Sequence, residues 1–222
     1  MEEHRVRIAG VRGSSPLIST ISRSRSDSRA RNGPLQRFPL LYRGRVGLTS
    51  DGPAKPRVLL IGMMGAGKTT VGRELSAKTG WPYVDNDDLL RRQTGRDPAE
   101  IRATEGEDVL HLAESDAFDE ALGLEPPTII GVAAAAVLDP AAREALRDGG
   151  HVVWLRASPE TLLERIGSGR GRRGDATDPD WVRKRARERQ TLYASVASQI
   201  VDTDNRTPGD VADEILQRLE GS

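Results

Sequence analysis

The sequence predicts a doubly wound α/β domain, with a parallel sheet covered by helices on both faces. Two observations carry this. Short apolar runs alternate with segments of helical period along most of the chain, and strands separated by helices pair in parallel. One of those runs, RVLLI at Arg57–Ile61, ends on Gly62 and passes through a glycine-rich turn into a helical pattern. The 222 residues suffice for one such domain and an appendage.

The elements follow in order. Arg57–Ile61 reads as a buried strand. Lys68–Thr79 has helical spacing, with Val71 and Leu75 four apart. Residues 83–84 suggest a second short strand. Helices are expected over residues 87–94, 98–103 and 105–122. Residues 128–132 (TIIGV) form a third strand and 140–147 a helix. Residues 151–155 (HVVWL) form a fourth strand. Ser158 is placed to cap a helix over residues 159–166. A long helix is expected over Pro179–Val196, a last strand over residues 199–201, and a closing helix over 208–219.

Composition narrows the chemistry. There is no cysteine, which excludes disulfides, thiolate metal sites and a thiol nucleophile. No run of 18 apolar residues exists, so no membrane-spanning helix is expected. The formal net charge of zero hides two unlike segments. Residues 1–55 carry 11 Arg and Lys against 4 Asp and Glu, whereas residues 56–222 carry 22 against 29. The first segment, rich in Ser, Arg, Pro and Gly, shows no sustained period and is expected to be a disordered basic extension. A targeting segment and a tail for nucleic acid or anionic lipid are the competing readings. Glu2 and Glu3 speak against the former, and the scarcity of aromatics against the latter.

The strongest motif spans Gly62, Met63, Met64, Gly65, Ala66, Gly67, Lys68, Thr69 and Thr70. It fits G-x-x-x-x-G-K-S/T between an apolar strand and a helix, the setting of a phosphate-binding P-loop. Glycines let backbone N–H groups turn around phosphate oxygens, and the helix presents its positive end to the same anion. Lys68 supplies a point charge for the β- and γ-phosphates, and Thr69 a hydroxyl for Mg²⁺. The third strand runs into residues 133–136, four alanines, and not into a Walker-B aspartate. The metal's carboxylate is therefore sought in Asp85, Asn86, Asp87 and Asp88, next to the second strand. On an extended segment Asp85 and Asp87 face the same way. One could then hold Mg²⁺ through water while the other takes a proton from a hydroxyl. Capping of the next helix is the competing role. The N-K-x-D signature of GTPases is missing, and about 165 residues after the P-loop strand suit a small kinase.

From Arg57 to Leu219 the chain resembles the shikimate kinases. The P-loop pattern G-x-x-G-x-G-K-S/T-T-x-G is met through Gly72. F-I/V/L-D-x-D is resembled by Tyr83-Val84-Asp85-Asn86-Asp87, and T-G-x-x-I/P-x-x-I by Thr94 to Ile101. E-G-E stands at Glu105-Gly106-Glu107. R-x-P-L-Y-x-x-x-A is resembled by Arg189 to Ala197, and V-D-T…R-x-P by Val201 to Pro208. The resemblance implies a P-loop NTPase fold with five parallel strands and ATP-dependent phosphorylation of shikimate. It further implies Mg²⁺, a monomer in the cytoplasm, and neither membrane nor nucleic acid as partner. By that resemblance Gly62, Gly65, Ala66, Gly67, Lys68, Thr69 and Thr70 bind the ATP phosphates. Thr69 and Asp85 hold the metal, and Asp87 binds and activates the substrate hydroxyl. Arg189 pairs with the substrate carboxylate, while Arg165, Arg206 and Pro208 flank adenine.

Two positions depart from the family pattern. A substrate-binding arginine three residues before Glu114 is replaced by His111, and a Gly-Gly-Gly after the third strand by Ala133, Ala134 and Ala135. Methyl groups there are expected to crowd the acceptor or to strain a backbone that needs positive φ. His111 and Ala134 are accordingly candidate substrate contacts. The glycine- and arginine-rich stretch within residues 167–178 is expected to form a mobile lid. Arg172 is its best match for a catalytic arginine, with Arg170 and Arg173 as alternatives. Other readings stay open: a kinase of a different hydroxylated metabolite, an ATP-binding regulator without phosphotransfer, and a nucleic-acid-associated ATPase.

Overall fold

The computed structural model describes residues 56–167 and 178–221. In chain order the elements are β1 (Arg57–Ile61), α1 (Lys68–Thr79), β2 (Tyr83–Asp85), α2 (Asn86–Thr94), α3 (Pro98–Glu105), α4 (Glu107–Leu122) and β3 (Thr128–Gly131). Then come a 3-10 turn (Ala136–Leu138), α5 (Pro140–Gly149), β4 (His151–Arg156), α6 (Pro159–Gly167), α7 (Pro179–Val196), β5 (Gln199–Asp202) and α8 (Pro208–Glu220). The five strands form one sheet in the order β2-β3-β1-β4-β5, every neighbouring pair parallel.

This order explains where the chemistry sits. β1 lies between β3 and β4, so the chain leaves it toward one edge and later returns to the other. The crevice at the carboxyl ends of the strands where direction reverses is the binding position of open α/β sheets, and the Gly62 turn opens there. The central strands are apolar throughout because both faces are covered: Leu59, Leu60, Ile129, Ile130 and Val153 are buried. Helix pairs α1 with α8 and α5 with α7 pack beside them.

Local signals set most boundaries. Asp85, Asp139 and Asp178 each accept an N–H from the first turn of the helix they cap. Thr207 and Asp210 form a reciprocal capping box on α8. Ser158 Oγ accepts the Thr161 N–H at 3.2 Å, as its position before α6 predicts.

Three expectations change. The helix expected over 105–122 is broken at Gly106, whose φ of 93° ends α3 and lets α4 begin at Glu107. Asp87 does not lie on an extended segment; it is in the first turn of α2, and only Asp85 ends the strand. The alanines at 133–136 carry no positive-φ strain, since Asn205 is the one non-glycine residue with positive φ among the described residues. They turn with ordinary dihedrals and run into the 3-10 turn. Of the lid expected within residues 167–178, residues 168–177, Arg172 among them, lie outside the described residues.

Candidate active site

The P-loop is built by backbone geometry that side chains resist. Gly62, Gly65 and Gly67 have φ of 142°, 85° and 98°. A Cβ on Gly62 would stand 2.5 Å from the Leu155 carbonyl oxygen, so strand β4 itself excludes a larger residue. The N–H of Ala66 donates to Met63 O at 3.1 Å and that of Val71 to Gly67 O at 2.8 Å, which closes the loop onto α1. Lys68, the first residue of α1, folds its ammonium back onto the loop, donating to Gly62 O at 2.8 Å and Met63 O at 3.2 Å. Burial pulls its pKa below the ordinary lysine value, and the carboxylates of Asp85 and Asp87 act in the opposite sense.

Thr69 and Asp85 meet across sixteen residues of sequence, Thr69 Oγ1 donating to Asp85 Oδ2 at 2.9 Å. The same Oδ2 accepts the Tyr83 hydroxyl at 2.8 Å, and Oδ1 accepts the Asp87 N–H at 3.1 Å. Capping and site-building are one arrangement here: the carboxylate that starts α2 also stands over the P-loop threonine. The oxygen donors fit a hard divalent cation. Among the described residues no cluster of three or more His, Cys, Asp or Glu exists to cage a metal. The pair therefore suits an ion held largely by phosphate and water.

Asp87 is mostly shielded from solvent. Burial raises its pKa above the usual carboxylate range, the Asp85 charge raises it further, and Lys68 opposes both. Tyr83 is pushed above the ordinary phenol value, first by burial and then by the Asp85 charge, and stays a hydrogen-bond donor.

Arg189 comes from the distant helix α7 and is only 5% exposed. Its charge acts on Lys68, as do those of Asp85, Asp87 and Glu114. Arg189 Nη1 donates to Ala134 O at 3.0 Å, its buried Nε has no hydrogen-bond partner, and Tyr193 donates to the same carbonyl at 2.8 Å. Burial pushes Tyr193 up to about 12. Its ring stacks on Trp154 of β4 at 5.7 Å. The alanine turn is thus fastened to α7 at Ala134, and Arg189 is held by the same fastening.

The nucleotide-flanking candidates divide. Arg165 Nη1 donates to Thr203 Oγ1 at 3.0 Å, Nη2 to Thr203 O at 2.7 Å, and Nη1 reaches Gly65 O at 3.5 Å, so it joins the P-loop to the loop after β5. Arg206 is bound to Glu214 at 2.5 Å, to Asp210 O at 2.9 Å and to Asp202 O at 3.2 Å, and Pro208 is the first residue of α8. In this arrangement Arg206 braces α8. His111 lies on α4 with Nε2 3.7 Å from the Glu107 carboxylate, about one-third exposed. Asn86 ties α4 to α2 by donating to Glu114 O at 3.3 Å.

Sequence reasoning did not single out Tyr83, Glu114, Tyr193 or Thr203 as site residues. Tyr83, Tyr193 and Thr203 stood inside motifs already quoted, and Glu114 marked the position of His111. Their roles depend on packing or partners supplied by other elements, as Gly72 and Gly131 do for the Tyr83 ring, which spacing does not reveal.

A family model described as shikimate kinase matches residues 64–220. The chain is 40% identical over 167 residues to the shikimate kinase of Symbiobacterium thermophilum, spanning 73% of this chain and 95% of that relative. It is 39% identical over 168 residues to the shikimate kinase of Mycobacterium avium, spanning 74% and 93%. Among solved structures, the shikimate kinase from Acinetobacter baumannii in complex with shikimate aligns with a TM-score of 0.69 at 29% identity, covering 75% of this chain and 94% of that one.

Proposed function

The chain belongs to the shikimate kinase family, and from that premise we propose that it transfers the γ-phosphoryl group of ATP to a ring hydroxyl of shikimate. One observation carries the proposal for this chain. The Arg189 guanidinium acts on Lys68 together with Asp85 and Asp87, although it lies 121 positions further along the sequence. Arg189 also donates to Ala134 O, in the turn that follows β3, the strand paired with the P-loop strand β1, and this supports a reading in which an arginine for a carboxylate stands near the phosphate loop.

Each residue then has a stated task. The Gly62–Thr70 backbone and the α1 N-terminus bind the phosphate oxygens. Lys68 exchanges its two loop carbonyls for phosphate oxygens and neutralises charge there. Thr69 and Asp85 would hold Mg²⁺, which when bound supplies charge neutralisation between phosphates. Asp87 accepts the proton of the attacking hydroxyl, and its raised pKa suits a base. As the hydroxyl oxygen bonds to the γ-phosphorus, the bond to ADP breaks. Arg189 offers its fork to the substrate carboxylate. The reading extends to a monomeric, cytoplasmic enzyme in which residues 56–222 hold the activity and residues 1–55 are dispensable. No helix among the described residues is long and apolar enough to cross a membrane.

A second reading keeps the kinase and changes the acceptor. It is favoured by His111, paired with Glu107, where the family pattern has arginine, and by the methyl groups at 133–135. ADP release measured across a panel of hydroxylated carboxylic acids decides between them. Highest kcat/KM with shikimate is expected; a clear preference for another acid establishes the second reading, and no turnover with any acid overturns both.

A further inference from the structure

Asp85 is hydrogen-bonded more fully than helix capping requires. Oδ2 receives two hydroxyls, from Thr69 at 2.9 Å and Tyr83 at 2.8 Å, and Oδ1 the Asp87 N–H at 3.1 Å. The tyrosine occupies a notch made for it by two glycines. A Cβ on Gly72 of α1 would lie 2.2 Å from the Tyr83 ring, and one on Gly131 of β3 would lie 2.4 Å from its hydroxyl oxygen. The ring is thereby clamped between a helix and a strand with its hydroxyl aimed at Asp85.

We propose that Tyr83 is a positioning residue that assigns which oxygen of Asp85 faces the metal. A carboxylate offers about four lone-pair sites. Thr69 and Tyr83 fill both on Oδ2, and the Asp87 amide takes one on Oδ1. One lone pair on Oδ1 remains for a water molecule in the shell of a divalent cation. With its proton committed to Asp85, Thr69 keeps its oxygen lone pairs for the same cation. Without the Tyr83 hydroxyl, Oδ2 regains a free site and the carboxylate loses one of its three restraints, so the two oxygens compete for that water. This inference rests on the assignment of Thr69 and Asp85 to Mg²⁺ above.

Calorimetric titration of ADP into the full chain, with and without Mg²⁺, tests both separately from turnover. The wild-type protein is expected to bind ADP more tightly with Mg²⁺. Tyr83→Phe, which keeps the ring in its notch, is expected to lose about 3–10-fold of that enhancement. Its Mg²⁺-free ADP affinity is expected to stay within about twofold and its Tm to stay close to wild type. Gly131→Ala, which drives a methyl group into the place of the hydroxyl, is the second variant, with the same expected loss. An enhancement retained or increased in Tyr83→Phe overturns the role of the hydroxyl alone. A parallel fall in Mg²⁺-free affinity overturns it as well, because the P-loop is then what changed. No enhancement in the wild type overturns the metal assignment and this inference together.

Discussion

The phosphate side and the acceptor side of this crevice are built by different means. The phosphate side is one continuous stretch, Gly62 to Thr70, in which backbone conformation does the work and three glycines hold φ values closed to most residues. The acceptor side, as proposed, is assembled from side chains and carbonyls of separate elements: Asp87 from α2, Ala134 from the turn after β3, and Arg189 and Tyr193 from α7. The contiguous side keeps every feature of its motif. The assembled side is where the proposed reading puts its departures from the family pattern, at His111 and at the alanine turn. Nucleotide phosphates are the same ligand in every such enzyme, and a backbone cradle tolerates little change. An acceptor pocket made from independent elements can be altered one residue at a time.

The largest expected effect tests the link between the two sides. Asp87→Asn removes the proposed base and is expected to lower kcat by roughly 10²–10⁴-fold. The same change should stabilise the fold at neutral pH. Asp87 has a raised pKa in the folded chain, so its ionised form costs stability above that pKa. The cost disappears as pH falls below the unfolded carboxylate value. The variant is therefore expected to melt higher than wild type at pH 7, each kcal/mol being worth about 2–4 °C in a domain of this size. The gain should shrink toward pH 3. Scanning calorimetry across pH measures this, and a lower Tm at pH 7 would refute the burial cost.

Next, Lys68→Ala strikes the phosphate side alone. Loss of roughly 10²–10³-fold in kcat is expected while the fold persists, measured by ADP release with circular dichroism as the check. Retained turnover would break the assignment of this loop to phosphate.

The smallest of the three effects addresses the acceptor side. His111→Arg exchanges an imidazole about one-third exposed for a guanidinium on α4. If α4 faces the substrate carboxylate together with Arg189, kcat/KM for shikimate should rise by about 5–150-fold, equivalent to about 1–3 kcal/mol. An unchanged value would show that His111 stays with Glu107 and away from the acceptor. A gain in shikimate use by an enzyme otherwise selective for another acid would sharpen the contrast, locating specificity in the assembled side.

Local chemistry explains what could be read before the fold was known. The bounds of β1, α1 and α7 agree with expectation because their signals are adjacent in sequence: an apolar run ending on glycine, a P-loop, and Asp178 before Pro179. The break between the helices expected over 98–103 and 105–122 lies two residues later than expected, at Gly106, whose φ of 93° ends α3. Asp87 was read both on an extended segment beside Asp85 and at the start of a helix over 87–94, because capping and extension compete over the same residues. The Asp85 side chain resolved that by accepting the Asp87 N–H and starting a helix.

By itself, then, the sequence determined the order of strands and helices, the phosphate loop and the helix caps. All of these arise from interactions a few residues apart, whose geometry the backbone dictates. Only the tertiary structure decided that Lys68 rests on two loop carbonyls and that Arg189 and Tyr193 share the Ala134 carbonyl. It alone aimed the Tyr83 hydroxyl at Asp85 between two glycines and gave Arg206 to α8. Those pairings join positions up to 59 residues apart or depend on what the neighbouring elements leave open. Several are fixed by packing of the sheet against its helices, and a hydrogen bond of that kind is chosen by proximity after folding, leaving no spacing in the sequence to mark it.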